Sequence, residues 1–150
     1  MKTITRLQYF TQENLLFTYE EQVKLISSYG CDCVHLKITN SNEEAYLKIA
    51  QKCIKIAHEN NSKLIVWDYP EIAKKVHADG IHFTESNSSE LKIYNELKQE
   101  FVLGCSVNSL DDVIGLQHEF DYLFLGPYEN RTSESEQITI IGITGYKTLI

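Results

Sequence analysis

The residues with most chemical capacity in this chain fall in or just after short apolar runs. His35 and Lys37 stand in the run Cys33 to Ile38, Trp67 ends Lys63 to Trp67 and Asp68 follows it, and Ser106 ends Val102 to Ser106, two residues before Asn108. A carboxylate, a lysine, an imidazole and a hydroxyl are groups that bind and orient charged ligands. The formal charge of -7 sets a condition on their use, because an acidic chain that handles anionic phosphates needs a metal ion or a few well-placed cations to offset its own field. Each residue also has an ordinary reading. Asp68 stands two residues before Pro70 and can cap the next helix. Lys37 can be solvated, Ser106 can pack near Gly104, and Trp67 can fill a core. His82 alternates with Ile81 and Phe83 and is expected to be packed and hydrogen-bonded.

The elements that must position these residues follow from hydrophobic period. Six short apolar runs, near Ile4 to Thr11, Cys33 to Ile38, Lys63 to Trp67, Gly80 to Phe83, Val102 to Ser106 and Tyr122 to Leu125, alternate with helical patterns. That rhythm predicts repeated βα units and a parallel sheet. Tyr46, Ile49, Ala50, Cys53 and Ala57 fall on one helix face, and Leu110, Val113 and Ile114 repeat the pattern later. Ser109, ahead of Asp111 and Asp112, reads as an N-cap, with Asn108 as the alternative. Unbroken apolar strands such as Leu64-Ile65-Val66-Trp67 imply helices on the outside of the sheet, where ligand sites lie at the carboxyl ends of the strands.

With 150 residues and 43% hydrophobic content, residues 1–150 are expected to form a single domain around one core. Scattered lysines and net negative charge argue against a nucleic-acid partner. The start, Met1 to Arg6, shows neither a membrane span nor a signal peptide, so a cytoplasmic location is expected. Cys31, Cys33, Cys53 and Cys105 lack C-x-x-C spacing and are expected to be buried thiols.

Three motifs in order carry a family resemblance. Ala78-Asp79-Gly80-Ile81-His82-Phe83 resembles the A-D-G-[VI]-H-L strand of thiamine phosphate synthases and thiazole tautomerases. Leu103-Gly104-Cys105-Ser106-Val107-Asn108 stands where that family has I-G-x-S-x-H, and Phe120-Asp121-Tyr122-Leu123-Phe124-Leu125-Gly126-Pro127 resembles its A-D-Y-[IV]-x-x-G-P strand. Upstream, Leu64-Ile65-Val66-Trp67-Asp68 and Val34-His35-Leu36-Lys37-Ile38-Thr39 sit at L-I-I-N-D and V-Q-L-R-x-K. The resemblance implies a (β/α) TIM-barrel fold. It also implies an enzyme that joins a hydroxymethylpyrimidine pyrophosphate to a thiazole phosphate with release of pyrophosphate, in thiamine biosynthesis.

Carried over residue by residue, the resemblance implies magnesium held by Asp68, with the family's second aspartate replaced by Asn87. Lys37 and Ser106 take the catalytic positions beside the pyrophosphate, and His35, Trp67, Asn108 and Arg131 take substrate-binding positions. Asn108 stands where the tautomerase has a histidine base, a role a neutral amide cannot fill. Lys37 replaces an arginine and so lacks its bidentate fork. The run Ile141 to Tyr146 resembles the start of the helix after the sixth strand, which leaves about six βα units and an apparently incomplete barrel without its last two strands. Unpaired edges predict a homo-oligomer, and the strand-like run Gln137 to Ile143 could pair at one of them. The alternatives are a non-catalytic ligand-binding or scaffolding relative and a truncated fragment of the family.

Overall fold

The computed structural model describes residues 5–14, 16–84 and 91–126. Within them, six strands form one parallel sheet whose spatial order is the chain order: β1 (Tyr9–Phe10), β2 (Cys33–Leu36), β3 (Lys63–Trp67), β4 (Gly80–Phe83), β5 (Val102–Val107) and β6 (Tyr122–Leu125). The connecting helices are α1 (Tyr19–Ser28), α2 (Glu43–Glu59), α3 (Pro70–Val76), α4 (Leu91–Leu97) and α5 (Leu110–Leu116). Neighbouring strands in a sheet lie about 4.8 Å apart, so in a flat sheet β1 and β6 would be roughly 24 Å from each other. Phe10 on β1 and Phe124 on β6 instead have ring centroids 5.2 Å apart. The sheet is therefore curled into the wall of a barrel.

Alternation along the strands sorts side chains between the two faces of that wall. Val34 and Leu36, Leu64 and Val66, Ile81 and Phe83, and Leu103 and Cys105 belong to the main apolar cluster, which they share with Tyr46, Ala50, Cys53 and Ala57 of α2. The intervening residues, His35, Trp67, His82 and Ser106, point into the barrel. Both faces of the wall are buried, which is why these strands read as continuous apolar runs. Truncating a fully buried leucine such as Leu64 or Leu103 to alanine should cost about 2–5 kcal/mol.

Local sequence fixes the helix ends. Thr18 and Glu21 form a reciprocal capping box at α1, and Asn42 accepts from the Ala45 amide at the start of α2. Ser109 caps α5 as its position predicts, accepting from the Asp112 amide at 3.1 Å. Pro70 opens α3, but the capping residue there is Tyr69, with no side-chain bond, so Asp68 does not cap this helix. All four cysteines are free and buried.

Two elements depart from their sequence signals. The first strand, read from Ile4 to Thr11, is a ladder only at Tyr9–Phe10. Before it, Thr5 Oγ1 donates to Leu7 O and Gln8 Nε2 to Thr5 O, local bonds that compete with pairing. In α5, Val113 packs on the core but Ile114 is 64% exposed and no residue of the helix is buried. The spacing Leu110, Val113, Ile114 spans more of the helix than the core covers.

Candidate functional site

The barrel interior is a polar–aromatic stack rather than an aliphatic plug. His35 and His82 are fully buried and Trp67 is nearly so. Trp67 Nε1 donates to His35 Nδ1 at 3.0 Å, which fixes His35 as the tautomer carrying hydrogen on Nε2; that nitrogen donates to Gln8 Oε1 at 2.7 Å. His82 stacks on Trp67, with centroids 4.1 Å apart, and engages Ser106 Oγ at 2.9 Å through Nε2 and the Tyr122 hydroxyl at 3.2 Å through Nδ1. Burial lowers the His35 pKa to about 4. Burial, reinforced by His35 and Lys37 nearby, lowers that of His82 to about 3. Burial also pushes the Tyr122 hydroxyl well above the usual phenol range. Both imidazoles are neutral at pH 7, so His82 donates from one nitrogen and accepts at the other.

Gly104 makes room for this arrangement. A Cβ on it would fall 2.0 Å from the Tyr122 ring. The ring lies against the β5 backbone, and only glycine permits that approach.

Two hydroxyls hold the mouth of the barrel at β2. Thr11 Oγ1 accepts from the Lys37 amide at 3.0 Å and donates to the Lys37 carbonyl at 3.2 Å. The buried Tyr46 hydroxyl of α2 donates to Leu36 O at 2.5 Å and accepts from the Trp67 amide at 3.1 Å, bridging β2 and β3 where both strands end. Lys37, so anchored, sets its Nζ 4.4 Å from the centroid of the Trp67 ring, a cation–π contact at the carboxyl end of the wall.

Asp68 is exposed and left-handed, at φ 59°, a conformation that is uncommon outside glycine and concentrates at functional sites. Its amide extends the β3–β4 ladder by donating to His82 O at 2.9 Å. Its carboxylate takes both polar groups of Thr84: the amide to Oδ1 at 2.7 Å and the hydroxyl to Oδ2 at 2.5 Å. Beside it, a cleft of about 450 Å³ opens at the ends of β4, β5 and β6, lined by Thr84, Ser106, Val107, Asn108, Asp112, Phe124, Leu125 and Gly126.

The structure thus gathers Lys37, Trp67 and His35 into one cluster, links Ser106 to it through His82, and sets Asn108 on the cleft wall. Asp68 joins the cleft through Thr84. His35 lies within β2, beneath the mouth, with its ring nitrogens engaged by Trp67 and Gln8. Asn87, Arg131 and the run Gln137 to Ile143 lie outside the described residues. Among the described residues, no group of three or more His, Cys, Asp or Glu side chains could hold a metal by itself. Gln8, Tyr46, Thr84 and Tyr122 went unmarked by sequence reasoning. Tyr46 counts as one more apolar-face residue in the helical pattern, and its hydroxyl role becomes visible only once α2 lies across two strand ends.

A curled parallel sheet with polar side chains converging at its carboxyl ends defines a (β/α)-barrel-type protein with a ligand site at the strand ends. A family model described as thiamine monophosphate synthase matches residues 6–150, and the chain belongs to that family. It is 24% identical over 150 residues to a thiamine-phosphate synthase of Phocaeicola vulgatus, covering 99% of this chain and 72% of that one. It is 26% identical over 147 residues to the enzyme of the same name from Bacteroides thetaiotaomicron, covering 96% and 69%. The structure of a thiamine phosphate pyrophosphorylase from Pyrococcus furiosus superposes with a TM-score of 0.79 at 20% identity, covering 96% of this chain and 69% of that one, a likeness of fold. Among the described residues, no helix is long and apolar enough to cross a membrane.

Proposed function

We propose that this chain joins a hydroxymethylpyrimidine pyrophosphate to a thiazole phosphate, as its membership of the thiamine monophosphate synthase family supports, in a cytoplasmic setting and with no nucleic-acid partner. The observation that carries the reading is Lys37 Nζ held 4.4 Å over the Trp67 ring at the carboxyl end of β2. This placement holds a cation at the strand ends, backed by the indole face, where it can meet a pyrophosphate. In the reaction, the bond from the pyrimidine methylene carbon to the pyrophosphate oxygen breaks and its electron pair leaves with the pyrophosphate. The thiazole nitrogen then forms the new bond to that carbon. Lys37 and Ser106 donate to the departing oxygens, and His82 holds the Ser106 hydroxyl in place. Trp67 backs the Lys37 ammonium at the edge of the pyrimidine site, His35 fixes the indole from beneath, and Asn108 and Arg131 contact the substrates.

The donors at Asp68 fit a hard divalent cation, because magnesium is usually held by one or two carboxylates together with substrate phosphates. Asp68 would supply the carboxylate and Asn87 a carbonyl oxygen. A magnesium ion held there would neutralise charge on the leaving group.

The test is product formation from both substrates with magnesium. Lys37→Met should reduce kcat/KM by about a hundredfold or more, as expected for losing one charged transition-state contact. Undiminished turnover in that variant would remove Lys37 from the site. A second reading, a non-catalytic binder, draws on the tightly filled interior, in which the ring nitrogens of both buried histidines are already engaged. Saturable binding of the pyrimidine pyrophosphate by folded protein without turnover would favour it.

We also propose a homo-oligomer, supported by the outer edges of β1 and β6, which have no strand partner among the described residues. Sedimentation velocity should then show a species larger than 17.3 kDa, and a monomer at all concentrations would rule it out.

A further inference from the structure

Asp68 serves two ends that compete. Beyond its own amide, the β3–β4 ladder has no further backbone acceptor for Thr84, and the Asp68 carboxylate takes that place. It accepts the Thr84 amide at 2.7 Å and the Thr84 hydroxyl at 2.5 Å, so each carboxylate oxygen already carries a hydrogen bond. Bonds to an ionised acceptor are short and strong, and they draw electron density from the oxygens that a cation would use. The hydroxyl is the removable half of this grip, since the amide belongs to the backbone.

We propose that Thr84 is a latch on Asp68, so that a divalent cation reaches the carboxylate only by displacing the Thr84 hydroxyl. The inference rests on the cation site proposed above. It adds a residue that sets the affinity of that site. In the latched state both carboxylate oxygens are occupied. The unlatched state gives Oδ2 to the cation and leaves the Thr84 hydroxyl to water or to a ligand in the cleft that it lines.

The test uses Mn2+ alone, in phosphate-free buffer, with the free ion followed by electron paramagnetic resonance. Thr84→Val keeps the shape and the amide but removes the hydroxyl, and it should tighten Mn2+ binding about three- to tenfold over the unaltered chain. Thr84→Ser keeps the donor and should match the unaltered chain. Asp68→Asn in the Thr84→Val background should abolish the gain.

Equal or weaker binding in Thr84→Val overturns the latch, as does a complete absence of Mn2+ binding in both proteins. Should Thr84→Val fail to fold, Thr84→Ala, which also lacks the hydroxyl, takes its place, and Mn2+ binding no tighter than in the unaltered chain overturns the proposal. Failure of the catalytic reading is seen separately, as loss of pyrimidine pyrophosphate binding or turnover whatever Mn2+ does.

Discussion

Burial of His35 and His82 ties the interior of the barrel to pH. Their folded values, about 4 and about 3, lie below the usual value of 6.5. Above pH 6.5 neither state holds the extra proton, and stability is unaffected by these groups. As pH falls below 6.5 the unfolded chain takes up protons that the folded one refuses, and stability drops until the folded values are reached. The loss between pH 6.5 and pH 5 should be up to about 2 kcal/mol per histidine, read from urea unfolding midpoints. His35→Gln should remove about half of that slope, and an unchanged slope would mean that His35 titrates normally. At this scale the sequence was informative in part. Residue type and strand position brought out Lys37, Trp67 and Ser106, and the structure brings them near one another. Gln8, Tyr122 and Thr84, the partners of His35, His82 and Asp68, carry no signal of their own, because each comes from a different strand end and acts only through a bond formed after folding.

The second to sixth strands begin where the apolar runs begin, because parallel strands buried on both faces leave a compact apolar signature. β1 was overread, since composition cannot show that side-chain bonds at Thr5 and Gln8 take up the backbone ahead of Tyr9. The bridge from α2 yields a prediction that belongs to the elements rather than to one residue. Tyr46→Phe removes a buried hydroxyl that serves both Leu36 O and the Trp67 amide, and it should cost about 1–3 kcal/mol. Amide exchange should rise at Trp67 while the rest of α2 stays protected. A variant as stable as the original, with Trp67 equally protected, would show that β2 and β3 hold their spacing unaided.

At the scale of the molecule, the alternation of runs and helical patterns made the βα class legible, and the family resemblance sharpened it to a barrel. The curl itself was not legible, since it depends on Phe10 meeting Phe124 across 114 residues of chain, a contact that no local pattern encodes. Phe124→Ala should loosen that curl, lowering stability by about 2–4 kcal/mol in urea unfolding while leaving helix content unchanged. A negligible loss would show that the wall curls through its own twist.

Spatial order that repeats chain order also shapes how the molecule is built. Each strand pairs with the one made just before it, so the sheet can grow by one βα unit at a time as the polypeptide lengthens, with only short loops to close. The meeting of Phe10 and Phe124 is the exception, for it must wait until β6 exists. During synthesis, the polar interior centred on His35 and Trp67 therefore stays open to water until the last of these strands arrives. The aromatic contact that spans the curl is then also the step that dries the site.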